Sequence, residues 1–342
     1  MKKPLIPAVS FIKALCAMGV VCSHFFTRMV NMDTRNILCF LNGHWGNAVV
    51  QTFLVVSGFL LHYHYSDHLE LKTYAVKRWR GIFPMFYIAY LYFMFGKVCD
   101  NRSIFYYRNP WAYLFTLLGI DGYVMDRLPT YYLVGEWFLG PILIMYILYP
   151  LLRKAFAKRA PLSFAAVAMV YVLFYDKPIT STVGIWTLSS CLVSFAFGML
   201  CCRYREVLLG KRGIAAAAVV FITLLTVPMP YGWQNFSEHL MGAALFIGMF
   251  AIGSAVMTWR LPEALFRELG MLSYPIFLVH NQIIPRIAGS WLPGNPLKGW
   301  ALFFMDFAIT CCAAKALDVV TRAVLHRTDA WIAAWKARKA SV

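Results

Sequence analysis

The sequence predicts an all-α membrane protein, a polytopic transmembrane helical bundle of about ten spans whose N- and C-termini both lie in the cytoplasm. Of the 342 residues, 61% are hydrophobic and only 14% are charged, whereas a soluble domain has about 25% charged residues. The mean hydropathy is +0.62. Several apolar runs reach the roughly 20 residues that a helix needs to cross a bilayer. The spans leave no room for a sizeable soluble domain.

Ten apolar segments account for most of the chain. With the N-terminus inside, the inner loops collect most of the 32 Lys and Arg residues, in accord with the rule that these residues set membrane topology. The same placement argues against nucleic acid as a partner, despite the net charge of +17. The predicted spans are 7–27, 46–66, 81–99, 135–156, 161–176, 183–202, 213–230, 239–259, 270–288 and 299–319.

The apolar stretch 111–120 stands outside this scheme. Counting it as a span would place the basic loops 153–159 and 203–212 on the outside. We therefore interpret it as an interfacial or re-entrant piece at the outer face, which is tolerated where protein or water covers it.

Residues 1–320 form the predicted transmembrane domain, and residues 321–342 form a basic cytoplasmic tail. The tail carries Trp331 and Trp335, four positions apart and so on one helical face. This pattern predicts an amphipathic helix along the inner membrane surface. The nine cysteines show no metal-ligand spacing, and no metal is expected.

The first candidate site is a polar stripe in the first span. Lys13 and His24 are eleven positions apart, almost three helical turns, so both lie on one face about 16 Å apart along the axis. Ionisable groups in a bilayer usually face a bundle interior or a wet cavity. Lys13 alone could snorkel towards the inner headgroups, and His24 alone could be a packed polar residue. Together they indicate a site in which an imidazole removes a proton from a hydroxyl or accepts an acyl group.

Two further candidates lie in the second and third spans. Ser57 precedes Gly58, and such a pair most often marks close helix packing. Lys77, Arg78 and Arg80 open the third span. Positive-inside anchoring explains these cations without a ligand, but cations at a helix N-terminus also suit a phosphorylated cofactor.

The last candidates lie near residues 136 and 280. Glu136 could bind a sugar hydroxyl, and the adjacent Trp137 could be an interfacial belt residue. The stretch 272–280 contains Tyr274 and places His280 near the middle of the membrane. A buried histidine bonded across helices is the conservative interpretation of His280.

Taken in this order, these stretches resemble the acyltransferase 3 family of integral membrane acyltransferases. The family's basic residue and histidine of the first helix match Lys13 and His24. Its Phe-Phe-x-x-Ser-Gly-Phe segment matches residues 53–59, with Leu54 in place of the second Phe. Its basic cluster before a proline matches Lys77 and Arg78, and its Ser-Tyr-x-x-Tyr-Leu-x-His segment matches residues 273–280, with Phe277 in place of the second Tyr.

The sequence also departs from the family pattern. Lys13 replaces the usual Arg, which keeps the charge but not the bidentate geometry. Many members carry an Arg three positions before the proline; here that position is Gly81, and Arg80 lies one place earlier.

The resemblance implies a membrane O-acyltransferase of a bacterial cytoplasmic membrane. It would transfer an acetyl or other acyl group from acetyl-CoA to a hydroxyl of a cell-surface or lipid-linked carbohydrate. Lys77, Arg78 and Arg80 would hold the CoA phosphates, and His24 would activate the hydroxyl or carry the acyl group. Lys13 would orient the donor or hold a carboxylate. The residues expected to contact substrate are Ser57, Glu136, Trp137, Tyr274 and His280.

Two other classes remain compatible with the sequence. A flippase or exporter of a polysaccharide or lipid-linked sugar would also be a polytopic bundle with buried polar groups. Transporters often show paired broken helices in repeated halves, and no such pairing is visible here, which favours the enzyme. The third class is a membrane scaffold in a glycan-synthesis complex. Homo-oligomers or other glycan-synthesis proteins stay open as partners.

Overall fold

The computed structural model describes residues 3–28, 45–106, 109–125, 128–175, 187–227, 232–288 and 296–340, and within these ranges it contains helices and no strands. The helices are α1 (Pro7–Arg28), α2 (Trp45–Tyr65), α3 (Leu71–Asn101), α4 (Tyr113–Leu118), α5 (Glu136–Leu173), α6 (Leu188–Arg203), α7 (Arg205–Leu208), α8 (Lys211–Thr226), α9 (Gln234–Val256), α10 (Arg260–Met271), α11 (Ser273–Ala288) and α12 (Pro296–Ala340).

Five of these helices, α1, α2, α3, α5 and α9, are long and apolar enough to cross a membrane. The protein is therefore an all-helical membrane protein, as the composition predicted. Each predicted span overlaps a helix, although parts of three predictions (residue 176, 183–186 and 228–230) lie outside the described residues. The largest differences in length are in α3, which begins ten residues before the predicted span, and α12, which extends far beyond it.

The fourth and fifth predicted spans form one helix with a kink. Arg159 has non-helical backbone angles (φ −146°, ψ 77°) inside α5. Pro161 follows two residues later, and a proline inside a helix lacks the N–H donor and clashes with the preceding turn. The break thus falls in the predicted loop between these spans.

The stretch 111–120 forms only a short helix. A 3-10 turn at Pro110–Ala112 leads into α4, which ends at Gly119 in the left-handed region (φ 68°). The six residues of α4 extend about 9 Å, far less than the thickness of a bilayer. The segment does not cross the membrane as a helix, in agreement with the interfacial or re-entrant interpretation.

Besides the four-residue α7, the described part of the chain contains one helix that was not predicted, α10. It is amphipathic, with an ion pair between Glu263 and Arg267 at 2.7 Å on its exposed side, and it packs closely against α1. A Cβ at Gly270 would lie 2.6 Å from the carbonyl oxygen of Ser10, so the close approach requires glycine. No apolar run marks this helix in the sequence, because protein covers only one of its faces.

The first helix lies inside the bundle. It packs against α2, α9, α10, α11 and α12, and its apolar residues include some of the most deeply buried in the chain, such as Ile12 and Phe25 at 0% exposure. This packing keeps the polar face of α1 away from lipid.

Two glycines allow α2 and α6 to pack in close contact. A Cβ at Gly58 would lie 1.9 Å from the carbonyl oxygen of Phe195, and one at Gly198 would lie 1.9 Å from the carbonyl oxygen of Val55. The prediction that Gly58 marks close helix packing is confirmed. Small residues let membrane helices approach to backbone contact.

The C-terminal tail continues α12 as one helix instead of forming a separate element. Its outer surface includes the exposed Trp331 and Trp335. Arg80 of α3 donates two hydrogen bonds, of 2.8 and 2.7 Å, to the carboxylate of Asp329. These bonds hold the pKa of Asp329 below its ordinary value.

We expect Gly58→Ala to destabilise the bundle, because the new methyl group must push α2 and α6 apart. Overpacking of this kind costs about 1–3 kcal/mol. The matched control is Gly248→Ala in α9, where a Cβ meets nothing within 4 Å. Thermal unfolding of the detergent-solubilised protein should show a lower midpoint for Gly58→Ala alone. Equal midpoints for the two variants would mean that the α2–α6 contact is looser than described.

Candidate active site

Two cavities meet beside α1. The smaller one, of about 280 Å³, is lined by residues of α1, α2, α3, α5 and α11. The larger one, of about 770 Å³, lies towards the C-terminal ends of α1, α3 and α11. Four residues line both cavities: Val20, His24, Val50 and Trp137. We refer to these as the small cavity and the large cavity.

The small cavity follows α1 from Lys13 to His24, both of which line it. These residues are about 16 Å apart along the helix axis, so the cavity is long and narrow. Its walls are mostly apolar and aromatic, with Phe53, Phe138 and Phe277 among them. No ion pair to Lys13 is formed by the residues that the structure describes.

Arg78 lines the small cavity and is held there by aromatic rings. Its guanidinium carbon lies 5.7 Å from the centroid of the Tyr65 ring and 5.6 Å from that of Tyr146, within the range of cation–π attraction. One hydrogen bond of 3.4 Å runs from Nη2 to the hydroxyl of Tyr65. The Nε atom is buried and has no hydrogen-bond partner in the described parts of the chain. Arg78 thus keeps donors for a ligand.

His24 lies beside a second histidine. The ring centroids of His24 and His280 are 5.2 Å apart. Nδ1 of His280 lies 2.7 Å from the carbonyl oxygen of Phe277 and 3.2 Å from that of Ile276. Because a carbonyl oxygen only accepts hydrogen bonds, these distances assign the proton to Nδ1 and leave Nε2 as an acceptor. Nε2 is buried without a hydrogen-bond partner among the described residues.

The small cavity brings together most of the residues that the sequence singled out. Ser57 lines it while its hydroxyl donates to the carbonyl oxygen of Phe53 at 2.9 Å. Tyr274 also lines it, and its hydroxyl donates to the carbonyl oxygen of Ile82 at 3.1 Å. Trp137 stands at the junction of the two cavities, a more specific place than an interfacial belt.

Three predicted site residues lie elsewhere. Lys77 is exposed on α3 and lines neither cavity. Arg80 binds Asp329 on the outside of the bundle. The buried carboxylate of Glu136 accepts hydrogen bonds of 3.0 Å from the backbone N–H groups of Leu133 and Val134. These bonds to the segment that precedes α5 satisfy the carboxylate and explain its burial without a sugar.

Sequence reasoning missed the polar lining of the large cavity. Arg28, one turn after His24, was on the predicted face of α1 and could have been found from its i, i+4 spacing. Asn281 and Gln282 follow His280 directly, and Gln282 is fixed by a 2.5 Å hydrogen bond to the carbonyl oxygen of Leu133. Arg28 donates to Asn281 at 3.5 Å. No periodic pattern links these residues to Lys97 of α3, which also lines the cavity.

Within the described ranges, no group of three or more His, Cys, Asp and Glu side chains could hold a metal ion. No disulfide joins the cysteines that the structure describes.

The fold and the cavities define a helical integral membrane protein with a polar site inside the bundle. The sequence model of the acyltransferase 3 family, described as an acyltransferase domain, matches residues 6–317, nearly the whole chain. The protein therefore belongs to this family and is a membrane acyltransferase. Comparisons with curated proteins and with solved structures found no match.

Proposed function

We propose that this protein is an O-acyltransferase of the bacterial cytoplasmic membrane, which transfers an acetyl group from acetyl-CoA to a hydroxyl of a cell-surface or lipid-linked carbohydrate. The observation that carries the proposal is that His24 lines both cavities. A group at the junction of two cavities can face a donor in one and an acceptor in the other.

The sidedness of the site follows from the proposed topology of ten spans with both termini cytoplasmic. In that topology α1, α3 and α11 all run from the inner to the outer face. Lys13 and Arg78 then lie at the cytoplasmic end of the small cavity, and the large cavity opens to the outside. A cytosolic donor and an external acceptor would approach His24 from opposite sides.

The small cavity suits the extended arm of a CoA thioester. Its volume of about 280 Å³ lies just below the roughly 300–1,000 Å³ of pockets that enclose a drug-sized ligand. The nucleotide part of the donor would remain at the cytoplasmic mouth. There the unsatisfied Nε of Arg78 can donate to a phosphate oxygen, and arginine is well suited to phosphate recognition. Lys13 adds a second cation.

His24 acts as the general base in this proposal. Its ring takes the proton from the acceptor hydroxyl as that oxygen attacks the thioester carbonyl. The new C–O ester bond forms, the C–S bond breaks, and the thiolate of CoA leaves with the electron pair and takes up a proton. Because donor and acceptor occupy separate cavities, both can be present together, which favours direct transfer over an acyl-histidine. His280 positions the His24 ring from the side.

Replacement of His24 should abolish acyl transfer. His24→Gln keeps polarity and bulk but cannot act as a base near neutral pH, and general base catalysis contributes about 10²–10⁴-fold. The control is His326→Gln, at an exposed position of α12. Purified proteins would be assayed with labelled acetyl-CoA and candidate glycans. Substantial activity in a well-folded His24→Gln protein would contradict the assignment of His24 as the general base. Acetyl label that stays on the denatured wild-type protein in the absence of acceptor would contradict direct transfer.

Arg78→Ala should raise the KM for acetyl-CoA by roughly 10- to 100-fold, the range expected for a lost charge-assisted hydrogen bond. Arg80→Ala, two positions away on the same helix, removes a cation that is bonded to Asp329 and should change this KM little. Steady-state kinetics with acetyl-CoA as the varied substrate compare the two. Similar increases for both variants would show that the donor phosphates bind along the outside of α3 instead.

The topology can be tested by cysteine labelling from outside the cell. A membrane-impermeant maleimide should react with Asn235→Cys but not with Lys158→Cys. Both variants are made in a parent protein in which the exposed Cys99 and Cys312 are replaced by serine, and the labelling of the parent is subtracted. Labelling of Lys158→Cys from outside would reverse the sides of the helices downstream of residue 120.

A further inference from the structure

The charged residues that line the large cavity are mostly cations. Arg28, Lys97 and Arg286 line it together with one acidic residue, Asp100. The remaining polar lining is neutral and includes Asn281. A cleft lined by one sign of charge concentrates counter-ions of the other sign. The lining therefore selects for negative charge.

The three cations come from different helices. Arg28 ends α1, Lys97 lies in the last turns of α3, and Arg286 lies in the last turn of α11. Cations near helix C-termini gain from the helix dipole, and cations near a membrane interface can snorkel to headgroups. Neither effect requires three separate helix ends to present their charges to one cavity. In the proposed topology they also lie on the outer side, against the positive-inside tendency.

Arg28 lies closest in sequence to the proposed base. It follows His24 by four residues, about 6 Å along the axis of α1 and on the same face. Its guanidinium donates only a 3.5 Å hydrogen bond to Asn281, and no carboxylate pairs with it in the described parts of the chain. An anionic group bound by Arg28 would hold a neighbouring hydroxyl of the same molecule near His24.

We propose that the large cavity binds an anionic carbohydrate, whose carboxylate or phosphate contacts Arg28 while a nearby hydroxyl is acylated. Lys97 and Arg286 supply the surrounding positive potential. The planar guanidinium of arginine binds both carboxylates and phosphates in a bidentate manner. The inference rests on the proposed function, because it treats the large cavity as the acceptor site.

The test compares matched anionic and neutral acceptors. One pair is p-nitrophenyl glucuronide and p-nitrophenyl glucoside; the other is a prenyl-phosphate-linked glucose and the corresponding prenyl glucoside. The variants are Arg28→Gln and, as a matched control, Lys298→Gln, at an exposed position that lines neither cavity. Acetyl transfer from labelled acetyl-CoA and equilibrium binding without donor are measured for all four probes.

We expect wild-type protein to favour the anionic member of at least one pair, and Arg28→Gln to lose roughly 10- to 100-fold in kcat/KM for it, with little change for the neutral member. The preference should weaken as salt is raised. Preference in the first pair identifies a carboxylate, and preference in the second identifies a lipid-linked phosphate. The Lys298→Gln protein should behave as wild type.

Equal use and equal binding of anionic and neutral probes by wild type, or a preference that survives in Arg28→Gln, would overturn the inference. Failure of the proposed function is distinguishable from this outcome. If no probe is acetylated, the enzyme assignment is in question, while the binding measurements still decide whether the cavity selects anions. If Arg28→Gln is poorly folded, the same comparison is made with the conservative variant Arg28→Lys and with the salt dependence of the wild-type preference.

Discussion

The enclosure of α1 within the bundle is the constraint on which the site depends. A lysine and a histidine on one membrane helix are costly against lipid, so the helix must turn that face towards protein or a cavity. The helices α2, α9, α10, α11 and α12 pack around α1 and leave space along the stripe from Lys13 to His24, where the small cavity lies. The close α2–α6 contact at Gly58 and α1–α10 contact at Gly270 keep this arrangement compact.

The two cavities differ in character, and the difference fits their positions relative to His24. The small cavity is narrow and mostly apolar, with its cations, Lys13 and Arg78, away from the junction. The large cavity is larger and more polar than the small one, with Arg28 one turn beyond His24. In the proposed reaction, charge that develops at the junction would face apolar walls on one side and fixed polar groups on the other. Preorganised groups of this kind stabilise a transition state more than bulk water does.

The sequence predicted what depends on local periodicity and missed what depends on contacts between distant residues. The spacing of Lys13 and His24 was enough to place them on one face, and the structure puts both in one cavity. The pairing of Arg80 with Asp329 joins residues 249 positions apart, and no local pattern could reveal it. Glu136 was expected to bind a sugar, but its carboxylate lies against the backbone of the preceding turn. This contact depends on how the loop before α5 folds, so the sequence alone could not reveal it.

The departures from the family pattern in α3 have a structural consequence. Gly81 lines the small cavity, and a Cβ at this position would meet nothing within 4 Å, so the place where many relatives carry an arginine is open space here. Arg80 cannot substitute, because one helical position rotates a side chain by about 100°, and it binds Asp329 outside the bundle instead. The cationic end of the small cavity is thus left to Arg78 and Lys13. In the proposed function, recognition of the acyl donor then depends more on Arg78, whose guanidinium lies near the rings of Tyr65 and Tyr146.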